Sequence, residues 1–306
     1  MIRQNDNRSR LILGRSDLDV LARIDQTLVA ALEPGEHDGC PPNLAAAIRY
    51  AIFPGGARVR PRLCLAVAHA CEEDHPRISN SAAGAIELLH CASLVHDDMP
   101  CFDNAPMRRG KPSVHLKFGE RLALLAGDAM IVLAFECLAR NCQDAPERLP
   151  GLLRIVGGGV GTSGGIVAGQ AWECETTANL SVYQRAKTGS LFAAATMAGA
   201  CAAGVSDTSQ WRSLGAKIGE AFQVADDILD VAGSSAVLGK PTGRDAELGR
   251  PSAVEHLGLA GAVKCLKELV ADAVSSIPEC PRREELRAVI VAHAKSLLPL
   301  EMLQAA

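Results

Sequence analysis

Aromatic residues are scarce in this chain. Only 3 % of its 306 residues are Phe, Trp or Tyr, although 48 % are hydrophobic, and Ala and Leu dominate. Strands favour aromatic and β-branched residues, whereas Ala and Leu favour closely packed helices. No alternating strand pattern of any length is found. The composition therefore predicts an all-α fold.

The cysteines lack the spacings of a zinc site or a redox pair. Eleven of them are scattered along the chain, with no CxxC pair and no Cys/His zinc pattern. Thiols used as small hydrophobic residues are typical of a reducing cytoplasm. The net charge is −4 with both signs spread throughout, so no basic face for nucleic acid is predicted. We expect a cytoplasmic protein whose partner is a small molecule.

No membrane span is expected. The N-terminus has only a three-residue apolar run, too short for a signal peptide. The uncharged stretches around 155–172 and 186–206 are rich in Gly and Ala and interrupted by polar residues, which favours tight helix packing over a membrane span.

No linker-like shift in composition divides the chain, so we expect one domain over residues 16–306 after a flexible tail at 1–15. Ser16-Asp17 predicts the start of a first helix. Further helices are predicted near 43–52, 58–71, 79–98, 113–140, 149–171, 181–203, 209–232, 253–276 and 282–299.

Two segments, "LVHDDMPCFD" and "FQVADDILD", each place an Asp-Asp pair at the end of an apolar helical run. In the second, Asp226 and Asp230 are spaced i, i+4 and share a helix face, with Asp227 about a third of a turn away. These carboxylates lie in apolar surroundings and would repel one another unless a cation lies among them.

The first acidic cluster contains Asp97, Asp98 and Asp103. Because Pro100 cannot continue regular helical bonding, we expect a bend that brings Asp103 back towards Asp97. A capped helix end or a solvated acidic face would explain one cluster alone. Two clusters of oxygen ligands favour Mg²⁺, or Mn²⁺, holding a polyphosphate.

Cations follow the first acidic cluster at once in "RRGKP", and arginine is well suited to bidentate phosphate contacts. A second basic group, Arg58 and Arg60, lies in "PGGARVRP" before an apolar helix, and Lys187, Lys240, Arg244 and Arg250 flank the second acidic cluster. For each of these basic residues, the alternative to phosphate binding is a solvated charge on the surface. Phosphate binding is predicted for Arg108, Arg109, Lys111, Arg60, Lys187 and Lys240.

In order along residues 43 to 255, these motifs together with "LLAGDAM", "GQAWE" and "AKTGSLF" resemble the head-to-tail trans-isoprenyl diphosphate synthases. The likeness is to the geranylgeranyl diphosphate synthases that supply carotenoid and bacteriochlorophyll synthesis. The resemblance implies a helical fold around a deep central cavity, usually as a homodimer. It also implies condensation of isopentenyl diphosphate with allylic prenyl diphosphates.

The resemblance further implies a role for each matched position. Both acidic clusters hold Mg²⁺ on the allylic diphosphate, Arg108 and Lys240 contact diphosphate, and Gln170 and Glu173 lie near the metal. The implied contacts to isopentenyl diphosphate are Arg60, His90 and Arg109, and the implied neighbours of the reacting allylic carbon are Lys187, Thr188 and Gln223.

The chain departs from the family pattern at Ala57, where a lysine usually contacts isopentenyl diphosphate. One cation is therefore missing. The contact must rest on Arg60, His90 and Arg109, or Arg58 must help.

Product length is predicted from the helix before Asp97. Positions one turn earlier lie about 5 Å deeper, and Ala92 and Ser93 are small enough to leave that level open. Leu88 and Leu89, one turn further, form the next floor. These residues predict a product longer than C15, consistent with C20.

Three other functions compete with a geranylgeranyl diphosphate synthase. A farnesyl diphosphate (C15) synthase would differ only in the cavity floor. A terpene cyclase usually has Asn, Ser and Glu in place of "DDILD". A non-catalytic partner that binds prenyl diphosphates is favoured by Ala57 and opposed by the complete aspartate motifs.

Overall fold

The computed structural model describes residues 15–33, 39–53, 55–175, 182–183, 185–232 and 252–296. Helices form most of these ranges, which confirms the predicted all-α class. The first six are α1 (Arg15–Leu32), α2 (Pro42–Ile52), α3 (Val59–Ala70), α4 (Pro76–Asp97), α5 (Val114–Phe118) and α6 (Glu120–Asn141). The others are α7 (Leu149–Val160), α8 (Ile166–Trp172), α9 (Ser190–Ala202), α10 (Trp211–Ala232), α11 (Ala253–Ser275) and α12 (Arg283–Ser296).

Two predicted helices are each divided in the structure. Gly119, with φ of 86°, separates α5 from α6, because a left-handed backbone cannot continue a right-handed helix. The glycine-rich segment 161–165 separates α7 from α8. The predicted tail at 1–15 lies outside the described residues except for Arg15, the first residue of α1.

A short hairpin that the sequence did not predict follows the first acidic cluster. Strands β1 (Met107–Arg108) and β2 (Lys111–Pro112) pair antiparallel. Arg109 and Gly110 connect them with φ of 52° and 73°, the two positive values that a type I′ turn requires. Two-residue strands are too short to show an alternating pattern.

Helix α9 lies at the centre of the bundle, and every residue from Leu191 to Ala202 is buried. It packs against α3, α4, α7 and α10. A Cβ at Gly199 would lie 2.3 Å from the Cys64 carbonyl oxygen, so this glycine permits the close approach to α3. The small residues of "FAAATMAGACAA" therefore bring together the surrounding helices that carry the acidic and basic motifs.

By length and composition alone, helix α6 is long and apolar enough to cross a membrane. One face packs along α4, where a Cβ at Gly127 would lie 2.0 Å from His96 Nε2. The opposite face exposes Leu124, Leu125 and Val132. This two-sided pattern is that of a core helix whose outer face carries apolar residues beside the charged Asp128 and Glu136.

Candidate active site

The first acidic cluster lies where α4 ends. The backbone N–H of Asp103 donates to the carbonyl of Asp97 at 2.9 Å, and that of Ala105 donates to the carbonyl of Asp98 at 3.1 Å. The chain therefore folds back within six residues, and the bend predicted at Pro100 is confirmed. All three aspartates belong to one compact turn.

Asp97 and Asp98 are buried, and burial raises the pKa of both carboxyl groups despite cationic neighbours. Gln170 Nε2 donates to Asp97 Oδ1 at 3.0 Å, and Lys187 Nζ lies 3.6 Å from the same atom. Arg108 Nε lies 3.1 Å from each carboxylate oxygen of Asp98. The raised pKa values show that these groups do not fully offset the cost of burying two negative charges.

The hairpin docks on the end of α2. Lys111 Nζ donates to the carbonyl of Phe53 at 2.7 Å and lies 4.1 Å from the ring centroid of Tyr50. The Tyr50 hydroxyl donates to the carbonyl of Pro112 at 2.8 Å. Lys111 is thus occupied by helix-end carbonyls and an aromatic ring, and the prediction that it binds phosphate is not supported.

Arg109 brings the two basic motifs together. A Cβ at Gly56 would lie 3.0 Å from Arg109 Nε, so the guanidinium packs against the glycine turn of "PGGARVRP". Ala57, the next residue, is exposed. Arg109 therefore supplies positive charge beside the position where the family usually has a lysine.

Arg60 and His90 form the next part of the site. Arg60 Cζ lies 4.4 Å from the ring centroid of Phe192, and Arg60 Nη1 lies 3.4 Å from His90 Nε2. Burial lowers the pKa of Arg60 to about 10, so the guanidinium stays charged at neutral pH. Burial and the neighbouring arginines hold the pKa of His90 well below its usual range, so the ring is neutral.

Arg58, in contrast, turns away from the surface and forms a buried ion pair with Glu87. The alternative that Arg58 helps to replace the missing lysine as a substrate contact is therefore not supported. Sequence reasoning missed Glu87, although an isolated acid in the apolar run "AGAIELLHC" was a usable signal.

Lys187 lies in a π-helical turn, Arg185–Gly189, immediately before α9. Its Nζ lies 2.6 Å from Glu173 Oε1 and 3.6 Å from Asp97 Oδ1. Burial lowers the pKa of Lys187, but the nearby Asp97 and Glu173 raise it by more, so the ammonium stays charged. Irregular turns of this kind often occur at functional sites.

Thr188 leads from this turn to the second acidic cluster. Its hydroxyl donates to Gln223 Oε1 at 3.2 Å, and Gln223 Nε2 donates to Asp227 Oδ1 at 3.0 Å. Asp227 also accepts the N–H of Ala253 at 2.7 Å, so it caps the start of α11. A chain of contacts thus joins the two acidic clusters through Lys187 and Thr188.

Asp226 and Asp230 are less buried than Asp227, in keeping with their predicted shared face on α10. The charge of Asp226 reaches Arg60 and raises the pKa of that guanidinium. Lys240, Arg244 and Arg250 lie outside the described residues, so the predicted diphosphate contact of Lys240 stays a prediction.

The acidic residues fit a site for a divalent metal ion shared with a diphosphate. Within the described ranges, no three acidic, His or Cys side chains form a ready-made cage for a metal ion. Magnesium commonly uses one or two carboxylates, several waters and substrate phosphates, and so does not need one. Its positive charge would offset the buried charges of Asp97 and Asp98.

The four positions predicted to set product length differ in how far they are buried. Ala92 is 1 % exposed and packs in the main hydrophobic core, as do Leu88 and Leu89. Ser93 is half-buried and lies one turn before Asp97 on the same face of α4. Its carbonyl accepts from Gln170 Nε2 at 3.3 Å, and the same Nε2 donates to Asp97, so Ser93 lies next to the Gln170–Asp97 contact.

Replacing Gly169 by alanine should disturb Lys187, because the added Cβ would lie 2.5 Å from the Lys187 backbone nitrogen. We expect a loss of about 1–3 kcal/mol of unfolding free energy and at least a roughly tenfold lower kcat. Denaturant unfolding and steady-state turnover measure the two effects. Gly157→Ala is the matched control, since no atom lies within 4 Å of its Cβ position; equal effects at both sites would contradict the prediction.

Comparison with known proteins agrees with this geometry. Residues 41–284 match the polyprenyl synthetase family. The geranylgeranyl diphosphate synthase of Cereibacter sphaeroides is 49 % identical over 280 residues, which cover 92 % of this chain and 97 % of that protein. The geranylgeranyl diphosphate synthase of Rhodobacter capsulatus is 48 % identical over 278 residues, or 91 % and 96 % of the two chains.

The fold of a solved structure agrees with these sequence matches. The geranyltransferase of Helicobacter pylori, complexed with magnesium and isoprenyl diphosphate, superposes with a TM-score of 0.76 at 28 % identity and covers 93 % of this chain and 99 % of its own. The family's match spans the acidic clusters, the basic hairpin and the Lys187 turn described above. The chain therefore belongs to the polyprenyl synthetase family.

Proposed function

We propose that this protein is a prenyltransferase that condenses isopentenyl diphosphate head-to-tail with allylic diphosphates to make geranylgeranyl diphosphate. The observation that carries the proposal is the chain of contacts that joins the two acidic clusters through Lys187, Thr188 and Gln223. The two bacterial relatives are geranylgeranyl diphosphate synthases, which supports the same product.

Magnesium, with manganese as a substitute, would be held by the six aspartates of the two clusters: Asp97, Asp98, Asp103, Asp226, Asp227 and Asp230. When bound, the metal supplies positive charge that stabilises the leaving allylic diphosphate. The magnesium and isoprenyl diphosphate in the Helicobacter pylori relative support this assignment.

The chain's own groups assist ionisation of the allylic substrate. Arg108 and Lys187 add fixed positive charge beside the first acidic cluster, where negative charge develops as the C–O bond breaks. Thr188 and Gln223 carry oxygen dipoles that can face the resulting allylic cation. The cation must be shielded from water, which would otherwise capture it.

Arg60, Arg109 and His90 bind the diphosphate of the second substrate in this proposal. The Arg60 guanidinium is charged, and the neutral His90 ring can donate one hydrogen bond. The double bond of isopentenyl diphosphate then attacks the allylic cation, and the released diphosphate accepts the proton that is lost.

Restoring the family's lysine with Ala57→Lys should lower the KM for isopentenyl diphosphate. The position is exposed beside Gly56 and Arg109, so a lysine fits without displacing the core. One added charge-assisted contact predicts roughly a tenfold change. Steady-state kinetics with Ala57→Gln as the neutral control measure it, and an equal KM for both variants would contradict it.

We also propose a homodimer formed through α6. Leu124, Leu125 and Val132 are 47 %, 50 % and 56 % exposed along one side of this helix, and Leu116 of α5 is 58 % exposed. An apolar stripe of this kind is better covered by a second copy than by water.

The cytoplasm is the proposed location, because none of the eleven cysteines forms a disulfide. The resemblance to synthases of pigment pathways supports a role in carotenoid or bacteriochlorophyll formation.

Val132→Asp should separate the proposed dimer, since it buries a charge in the centre of the apolar contact. We expect the mass measured by light scattering to fall to that of one chain. Leu18→Asp changes a leucine that is 44 % exposed on α1 and should leave the mass unchanged. A wild-type mass of one chain would contradict the proposal.

Product analysis tests the proposed function. Purified protein is incubated with isopentenyl diphosphate and dimethylallyl, geranyl or farnesyl diphosphate, with Mg²⁺ or EDTA, and the dephosphorylated alcohols are separated by chromatography. Magnesium-dependent C20 alcohol is expected. A C15 product would favour a farnesyl diphosphate synthase, and metal-dependent binding without elongation would favour a non-catalytic partner subunit.

A further inference from the structure

A buried ion pair lies directly behind the basic turn of the site. Arg58 and Glu87 are 4 % and 1 % exposed, and Arg58 Nη1 donates to Glu87 Oε1 at 2.7 Å. Arg58 Nη2 donates to the carbonyl of Ile52 at 3.0 Å and to Asp25 Oδ1 at 3.1 Å. One guanidinium thus joins α4, the end of α2 and α1.

The backbone around Arg58 is shaped to hold this guanidinium. Arg58 has a φ of 51° at the residue before α3, a left-handed conformation that non-glycine residues adopt only when their surroundings hold it. A Cβ at Gly55 would lie 2.1 Å from Arg58 Cζ, so the turn closes tightly over the side chain. The position of the turn therefore depends on where Arg58 is anchored.

This anchor lies beside the groups proposed to bind isopentenyl diphosphate. Arg60 follows Arg58 by two residues, and His90 follows Glu87 by three, which places Glu87 and His90 on one face of α4. Arg60 Nη1 and His90 Nε2 are 3.4 Å apart. Two adjacent contacts thus join the start of α3 to α4, one sealed in the interior and one at the site.

We propose that the Arg58–Glu87 ion pair is a positioning element that fixes Arg60 and His90 for the diphosphate of isopentenyl diphosphate. This inference rests on the proposed function. Ala57 leaves the turn without the usual lysine, so binding depends on Arg60, His90 and Arg109 being held in place before substrate arrives. The ion pair itself does not touch substrate.

Glu87→Gln tests the proposal, because it removes the charge and keeps the size of the side chain. We expect the KM for isopentenyl diphosphate to rise roughly tenfold, with the KM for farnesyl diphosphate unchanged within about twofold. Calorimetric binding of isopentenyl diphosphate to protein without allylic substrate should weaken by the same factor. A purely structural role would not produce this difference between the two substrates.

Glu73→Gln is the matched control, because Arg23 Nη2 lies 2.8 Å from Glu73 Oε2 in a partly buried pair away from the site. It should lower the thermal unfolding temperature and leave both KM values unchanged. Arg58→Lys provides a second test if Glu87→Gln does not fold, since it keeps the charge but loses the forked contacts. It should raise the same KM.

Equal changes in both KM values, or none, in Glu87→Gln or Arg58→Lys would overturn the inference while leaving the proposed function in place. Failure of the proposed function is distinguished by the wild-type protein, which would then elongate no primer.

Discussion

Asp97→Asn is expected to lower kcat by about 10³-fold while the protein remains folded. Asp97 is buried, its Oδ1 accepts a hydrogen bond from Gln170, and the same atom lies 3.6 Å from Lys187 Nζ. Its charge therefore lies within the proposed metal site. Asparagine keeps the shape but removes the charge that would hold magnesium on the leaving diphosphate. Single-turnover formation of the prenyl diphosphate product, analysed as its dephosphorylated alcohol, measures the effect directly.

Asp144→Asn is the control for this experiment. The Asp144 side chain is 57 % exposed, and its Oδ2 lies 4.0 Å from Arg77 Nη1 at the start of α4, the opposite end of that helix from Asp97. It should retain close to wild-type turnover. Comparable losses in the two variants, or a fully active Asp97→Asn protein, would remove the first acidic cluster from the proposed mechanism.

Ser93→Phe is expected to change the main product from C20 to C15. Ser93 is only partly buried and lies about one turn, or 5 Å, before Asp97 on the same face of α4. A phenyl ring there would close the proposed elongation cavity roughly one isoprene unit earlier. Chromatography of the alcohols measures the ratio of the two chain lengths.

Ala92→Phe separates this explanation from a general effect of size. Ala92 is 1 % exposed within the main hydrophobic core, so the added ring should cost about 1–3 kcal/mol of stability through overpacking. We expect it to lower the unfolding free energy more than Ser93→Phe does. Unchanged C20 from a folded Ser93→Phe protein would place the cavity floor elsewhere.

Much of the fold follows from local patterns in the sequence. The apolar periodicity and the Pro/Gly interruptions predicted most helices, and Pro100 predicted the bend that folds Asp103 back on Asp97. The acidic and basic motifs identified the candidate site because their chemistry is confined to short segments.

Contacts between distant segments could not be predicted in the same way. The pairing of Arg58 with Glu87 joins residues 29 positions apart, and no local pattern indicates which acid a buried arginine will meet. The difference between Ala92 and Ser93 depends on how α4 is rotated against its neighbours. The sequence predicts Lys111 to be a phosphate ligand, whereas in the structure its Nζ donates to the carbonyl of Phe53.

The hairpin has a consequence for how the two proposed substrates are spaced. Arg108 points to Asp98 of the first acidic cluster, whereas Arg109 packs on Gly56 of the basic turn. In the proposed mechanism, two neighbouring residues of one tight hairpin therefore contact different substrates, Arg108 the allylic diphosphate and Arg109 isopentenyl diphosphate. A shift of this hairpin would move both proposed contacts together and change the distance over which the new carbon–carbon bond forms.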